Sequence, residues 1–433
     1  MTDAERLAEQ FEAEKPGRRL GGVPAAIVTA ACVGLSLYAI YWVFNPVPAQ
    51  RYRTSFLAVA LALTFLVYRG WGARDEAKER ERPGVTDWLL AAASVVALGY
   101  TLVTFEEFVR RAADPNGLDI LFGVAVIALV LEATRRTVGW ILPAVVIGFL
   151  LYAYLGGELP QAWEISHAGY GVPRIVGQTY MGLSGIFGVP LDVAATYIIL
   201  FTIYGAVLEY SGAGQFFLDI SLAATGRSRT GPGRTTALAG FLLGTVSGSG
   251  VATTVTLGTV TWPILRRGGY PKEEGGGVLA ASGIGAILSP PTLGAAAFII
   301  AEFLGVSYLK VLLYAAIPSV LYYVGILLAI EADARRFGTR EVVVESPPFG
   351  RLLLRYGYHF SSLFAIVILL AIGLSPFRAV LYSTLLAFLL SFLDRRHRAV
   401  AHRAGAHDRA GRLPARDRVG LGGRDDGHAR HRH

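Results

Sequence analysis

The sequence predicts an all-α polytopic membrane protein with about ten membrane-spanning helices, one re-entrant hairpin and one discontinuous helix. Three observations carry that class. Of the 433 residues, 53% are hydrophobic, and the mean hydropathy is +0.47, well above the composition of a soluble globule. The apolar residues gather in runs near or above the roughly 20 positions that a helix needs to cross a bilayer. Those runs are uniformly apolar rather than alternating, which excludes barrel strands, and a lipid-embedded backbone otherwise satisfies its own hydrogen bonds only as helix.

Residues 1–22 read as a cytoplasmic tail, because Asp, Glu, Lys and Arg recur through the first nineteen positions and the following apolar run is too long for a signal-peptide core. Candidate spans follow at 23–44, 54–68, 88–105, 118–131, 138–155, 190–208, 311–330, 358–374 and 379–393. The single cysteine, Cys32, lies in the first run without a partner for a disulfide or a metal site; it is predicted as a small core residue. The loops 69–82, 227–234, 266–272 and 333–355, with Arg135 and Arg136, carry the basic charge and are assigned to the cytoplasm, while the loop 106–117 is mixed in sign and falls outside.

That orientation produces one anomaly. Arg234 and Arg266 both fall on the cytoplasmic side with 31 residues between them. Two arms of about 15 residues reach only about 22 Å at 1.5 Å per residue, short of the roughly 30 Å hydrocarbon core. The segment 235–265 is therefore predicted to enter, turn and return as a re-entrant hairpin with its tip at Ser247, Gly248, Ser249 and Gly250. Backbone freed at such a tip is tolerated only where protein or water covers it; glycine supplies the turn and hydroxyls rebond the backbone or face an ion.

The next segment, 275–304, is an apolar run broken at Ser289-Pro290-Pro291. Proline removes a donor and clashes with the preceding turn, so a discontinuous helix is expected, with Ser289 as the cap of its second half and proline near the first position. A hairpin tip beside a broken helix is the arrangement with which secondary transporters hold substrate and ion at the bilayer midplane. The competing reading is close helix packing through small residues.

Other chemistries fail on detail. Gly248-Ser-Gly250-Val-Ala-Thr253 lacks the third glycine of a dinucleotide fingerprint, and Gly226-Arg-Ser-Arg-Thr-Gly231 is followed by Pro where a phosphate loop needs Lys. No HExxH, CxxC or spaced His pair supports a catalytic metal. Asp192, Glu209 and Glu302 fall at expected helix ends, where snorkelling or capping explains them. Glu132 is placed to pair with Arg135 or Arg136, and His167 is read as a surface residue of the outer segment 156–190.

The stretches GTVSGSGVATTVTLGTVTWPILRRGGY and ILSPPTLGAAAFIIAEFLGVSYL, with GVPLDVAATYIILFTIYGAVLEYSGAGQFFLDISLAATGRSRTGPGR before them, resemble the fused permease of a tripartite ATP-independent periplasmic (TRAP) transporter of the TAXI type. The likeness is densest from Gly171 to Arg336. By this resemblance, residues 23–135 correspond to fused small-subunit helices, and 136–394 to the first part of the large-permease transport and scaffold region, the first half of an inverted-repeat elevator-type transporter. The resemblance implies the permease of a sodium-coupled importer in the bacterial inner membrane, N-terminus cytoplasmic. It would take a small organic anion, a carboxylate, from a periplasmic TAXI-type binding protein. No resident cofactor, enzymatic activity or nucleic-acid partner is expected. Position by position, Ser247, Gly248, Ser249 and Thr253 match the first hairpin tip, and Ser289, Pro290, Pro291 and Thr292 match the helix break. Sodium ligands are expected among Ser247, Ser249, Thr253 and Ser289. The chain departs from many relatives at Thr253, where they carry Asn, and at Gly250, where they carry Ala.

A second hairpin and a second Pro-Pro break are not seen between Val311 and Leu393. From Arg395 to His433 only Arg, His, Ala, Val, Gly, Asp, Leu and Pro occur, with eleven Arg against four Asp, so +7 of the formal +8 lies there. All eight residue types are encodable by codons beginning with C or G, as a frame shift in a GC-rich gene produces. The tail 395–433 is therefore predicted to be disordered and translated out of frame from near Leu393 to Arg396, leaving a C-terminally truncated permease. A basic lipid-binding tail is the alternative. For function, the alternatives are a membrane scaffold or assembly subunit and, behind it, a membrane-embedded enzyme.

Overall fold

The structure is a computed structural model that describes residues 17–18, 20–70, 82–160, 162–225, 228–247, 249–342 and 347–392. Most of the expected tail 1–22, the tip residue Gly248, the side chain of Ser247 and the whole segment 395–433 lie outside the described residues. The expectations of a disordered and out-of-frame tail fall there too.

Every regular element among the described residues is helical. The first part comprises α1 (Gly22–Phe44), α2 (Ala49–Val67), α3 (Val85–Val103), the short α4 (Phe105–Arg110), α5 (Gly117–Thr137) and α6 (Ile141–Leu155). Prolines at 46 and 48 separate α1 from α2. The start of α5 is fixed by a reciprocal cap, in which the Asp119 amide donates to Asn116 Oδ1 at 2.8 Å and the Asn116 amide to Asp119 Oδ2 at 3.0 Å. In α6 only Pro143 is buried.

After a loop, α7 (Val172–Val176) runs into a wider turn at Gly177–Met181, and α8 (Val189–Tyr210) follows with proline in its first turn. Then come α9 (Ala213–Thr225), α10 (Gly231–Ser247), α11 (Gly250–Arg267), α12 (Lys272–Ile284), α13 (Ala295–Leu304), α14 (Tyr308–Phe337), α15 (Phe349–Tyr356), α16 (His359–Ala371) and α17 (Pro376–Ser391).

Six helical stretches among the described residues are long and apolar enough to cross a membrane: α1, α3, α5, Ile141–Glu158, α8 and α14. A seventh arises if α15 and α16, bent by 63°, count as one. The sequence-based count of about ten rested also on α2, with Arg51 and Arg53 in its first turns, and on α16 and α17, which have only 13 and 16 residues.

Two apolar cores organise the helices. Leu61 and Phe65 of α2, Leu98 of α3, Phe108 of α4 and Val126 of α5 pack with Tyr180 and Phe187 from the stretch before α8. A larger core joins α8 to α14 with α16 and α17, centred on Tyr204, Phe217, Leu257, Leu265, Ile330 and Ile366. Gln50 Nε2 donates to the Met181 carbonyl at 2.8 Å within the first core, and the Tyr52 hydroxyl donates to the Ala195 carbonyl at 2.6 Å, tying α2 to α8. Thr101 and Tyr180 pair through their hydroxyls.

Cys32 corrects a sequence-based expectation, being exposed rather than in the core. Its helix touches the rest of the chain along the face of Ala39 and Val43, and Cys32 points elsewhere. Glu132 pairs with both of its predicted partners, accepting from Arg135 Nε at 2.7 Å and Arg136 Nε at 2.8 Å.

Candidate functional site

The hairpin arms α10 and α11 have 17 and 18 residues, so each reaches about 26 Å. They exceed the expected 15 because helix continues to the feet at Gly231 and Arg267. The feet meet there: a Cβ on Gly268 would stand 2.8 Å from Pro232 Cγ. Between them, the buried Tyr270 hydroxyl has no hydrogen-bond partner among the described residues, and burial, with Asp333 and Glu331 adding, pushes it up to about 12. It stays neutral in the physiological range.

Against this hairpin lies the predicted broken helix. α12 tightens at Gly285–Leu288, the chain turns through Ser289-Pro290-Pro291-Thr292, and helix resumes as α13. The turn is closed by the Leu293 amide donating to the Ser289 carbonyl at 3.2 Å and the Gly294 amide to the Ile287 carbonyl at 2.9 Å. Pro290-Pro291 is cis. The capping expectation for Ser289 is corrected here. The cap of α13 is Gly294, without a side-chain bond, and neither proline is in its first turn. Ser289 instead closes the first half, its hydroxyl donating to the Gly285 carbonyl at 3.0 Å, because the two prolines hold it a turn away from where helix can restart.

Backbone meets backbone at two glycines. A Cβ on Gly244 of α10 would lie 2.4 Å from Ala286 Cα, and one on Gly283 of α12 would lie 2.8 Å from the Gly250 carbonyl oxygen. Both contacts require glycine. Thr292 Oγ1 reaches the Gly244 carbonyl at 3.4 Å. Tip and break are thus neighbours through Gly244 with Thr292, and Gly250 with Gly283.

The predicted hydroxyls differ in what they have left to offer. Ser249 caps α11, its Oγ accepting from the Ala252 amide at 3.3 Å. Ser289 bonds both Gly285 and Tyr323. Thr253 is 2% exposed and its Oγ1 has no hydrogen-bond partner among the described residues. That is the exception among them, since a buried hydroxyl without a partner costs about 1–3 kcal/mol. Sequence reasoning missed Tyr308, Ser319, Tyr322 and Tyr323, whose hydroxyls bond the broken helix from α14. Their shared helical face was a legible signal. Among the described residues no group of three His, Cys, Asp or Glu side chains could hold a metal.

A sequence profile described as "Tripartite ATP-independent periplasmic transporter, DctM component" matches residues 125–409, more than half of the chain. The chain belongs to this family. Its match begins inside α5 and takes in the hairpin, the broken helix and everything described after them. Within the family, the chain is 29% identical over 124 residues to a protein of Haemophilus influenzae named as a TRAP transporter large permease, covering 29% of this chain and 28% of that protein. It is 35% identical over 86 residues to the "C4-dicarboxylate TRAP transporter large permease protein DctM" of Rhodobacter capsulatus, covering 20% of each. The alignments thus span less than a third of either relative. The chain is thus a multi-pass member of this transporter family in which the α10–α11 turn and the helix break adjoin.

Proposed function

We propose that the chain works as the permease of a sodium-coupled importer of small organic carboxylates in the bacterial inner membrane, N-terminus cytoplasmic, receiving substrate from a periplasmic binding protein of the TAXI type. The hairpin enters from the cytoplasmic side, and with the broken helix it forms half of an ion and anion site that moves as part of an elevator-like body. One observation carries the reading: Thr253 Oγ1 is buried and unpaired beside the tip. A fixed oxygen without a proton donor is what a dehydrating cation replaces water with. The N-termini of α11 and α13 turn amide hydrogens toward an anion, while the ends of α10 and α12 present carbonyls to a cation. Of the other proposed sodium ligands, Ser249 is engaged as the cap of α11 and Ser289 bonds both Gly285 and Tyr323. The named dicarboxylate relative supports the carboxylate class.

The eight-letter composition of 395–433 supports a loss of reading frame near Leu393 to Arg396. Reading the other frames of the gene decides this: a continuation into a second apolar repeat supports it, and none refutes it. Proteoliposomes given the cognate binding protein and a labelled dicarboxylate test the activity. Sodium-driven uptake is expected from a frame-restored chain and none from the 433-residue form. Uptake by the latter overturns the frame loss, and uptake indifferent to sodium overturns the coupling.

A further inference from the structure

Four hydroxyl side chains of α14 converge on the broken helix. The Tyr308 hydroxyl shares its one hydrogen between the Pro291 and Thr292 carbonyls, both at 2.9 Å. Ser319 Oγ shares its hydrogen between the Leu288 carbonyl and the Ala315 carbonyl of its own helix, each at 2.7 Å, the Tyr322 hydroxyl donates to the Ala281 carbonyl at 2.7 Å, and the Tyr323 hydroxyl lies 3.0 Å from Ser289 Oγ. At 3.6 residues per turn these four positions share an arc of about 100°. The carbonyls of Leu288, Pro291 and Thr292 lie where helix is interrupted, and an unsatisfied carbonyl at membrane depth is costly. α14 supplies the missing donors.

The proton count fixes one direction. The Gly285 carbonyl can only accept, so the one hydroxyl hydrogen of Ser289 is spent on it. Tyr323 therefore donates to Ser289. Its ring stands edge-on to Phe241 of α10 with centroids 5.1 Å apart, and a Cβ on Gly285 would lie 2.5 Å from its hydroxyl. Tyr323 thus touches the hairpin arm and the break together. The chain just past the end of α14 is also strapped to both hairpin feet, through Thr339 Oγ1 to the Arg229 carbonyl at 2.9 Å and the Arg340 amide to the Gly268 carbonyl at 2.8 Å.

We propose that Tyr323, backed by Tyr308, is a positioning residue: it holds Ser289 and the carbonyls of the break in register with the hairpin tip, so that α14, hairpin and broken helix act as one body. Its consequence for ion affinity rests on the sodium reading above; its consequence for order in the break does not.

The test compares Tyr323→Phe with Tyr322→Phe in the full 433-residue chain in detergent. The two changes are chemically identical and adjacent, but Tyr322 serves a carbonyl of regular helix, which already accepts the Gly285 amide. Two readouts are taken: the sodium midpoint of thermal stabilisation at constant ionic strength, and hydrogen exchange of the Leu293 and Gly294 amides. Tyr323→Phe is expected to raise the midpoint about fivefold, the worth of one hydrogen bond, and to speed exchange at the break about tenfold. Tyr322→Phe should change neither. Equal effects of the two variants, or unchanged exchange in Tyr323→Phe, overturn the positioning role. If the unaltered chain shows no sodium response, the sodium reading falls, and the exchange comparison alone decides for or against Tyr323.

Discussion

Arg53 Nε donates to Asp192 Oδ1 at 2.8 Å, and its Nη1 donates to the Phe187 carbonyl at 2.7 Å, joining the first turns of α2 and α8 across 139 positions of sequence. The two side chains are 13% and 18% exposed. Asp192, read from sequence as a capping or snorkelling acid, is a clamp between the two apolar cores. Asp192→Ala should cost about 1.5–3 kcal/mol, the range for a hydrogen bond to a charged group. Thermal unfolding in detergent measures it, and a double-mutant cycle with Arg53→Ala should return a coupling of at least about 0.5 kcal/mol. Strict additivity would show that the pair contributes nothing jointly.

Asp87 is the more buried junction. Its carboxylate accepts from Arg136 Nη1 at 2.6 Å and the Gly84 amide at 2.9 Å, and pairs with Arg18 Nη2 at 2.7 Å. The Arg18, Arg136 and Asp87 side chains are 5%, 3% and 3% exposed. Removing one partner of a buried pair leaves uncompensated charge at a cost of about 3–5 kcal/mol. Asp87→Ala should therefore destabilise the chain more than Asp192→Ala, in the same unfolding measurement. The reverse order would mean that water reaches the Asp87 cluster.

Gly283 tests the contact between hairpin and broken helix. A Cβ there would meet the Gly250 carbonyl oxygen at 2.8 Å, and backbone cannot swing away as a side chain can. Gly283→Ala should cost about 1–3 kcal/mol by overpacking. Gly276→Ala, where a Cβ meets nothing within 4 Å, is the control, expected to be neutral or stabilising in the same helix. A Gly283→Ala protein as stable as that control would show the two helices standing further apart.

Thr253→Val separates a ligand from a structural hydroxyl by the sign of its effect. Replacing an unpaired buried hydroxyl by a methyl should raise stability by about 1 kcal/mol in potassium buffer, because no hydrogen bond is lost. The same change should abolish stabilisation by sodium, and Thr253→Ser should restore it. A loss of stability in potassium would show a hydrogen bond to Thr253 and remove it as the free ligand.

Much of this was legible in one dimension. Uniform apolar runs fixed helices within a few residues, because in lipid the backbone has no alternative; α1 was expected at 23–44 and spans Gly22–Phe44. The break at Ser289-Pro290-Pro291 was readable because proline acts locally. Ser289 was given the wrong partner for the opposite reason: which half of a broken helix a hydroxyl serves depends on where the chain turns after it, and that is set by packing. Cys32 was misplaced likewise, since a helix apolar on every side carries no mark of the face it presents to neighbours.

The sequence by itself determined the helical class, the position of the hairpin and of the break, and the family likeness, because these rest on local hydropathy, glycine and proline. Only the tertiary structure decided that Thr253 has no partner among the described residues while Ser289 is taken, that three hydroxyls of α14 serve the break, and that Arg53 reaches Asp192. Each is a meeting of segments far apart in the chain, and hydrogen-bond satisfaction is a property of the pair.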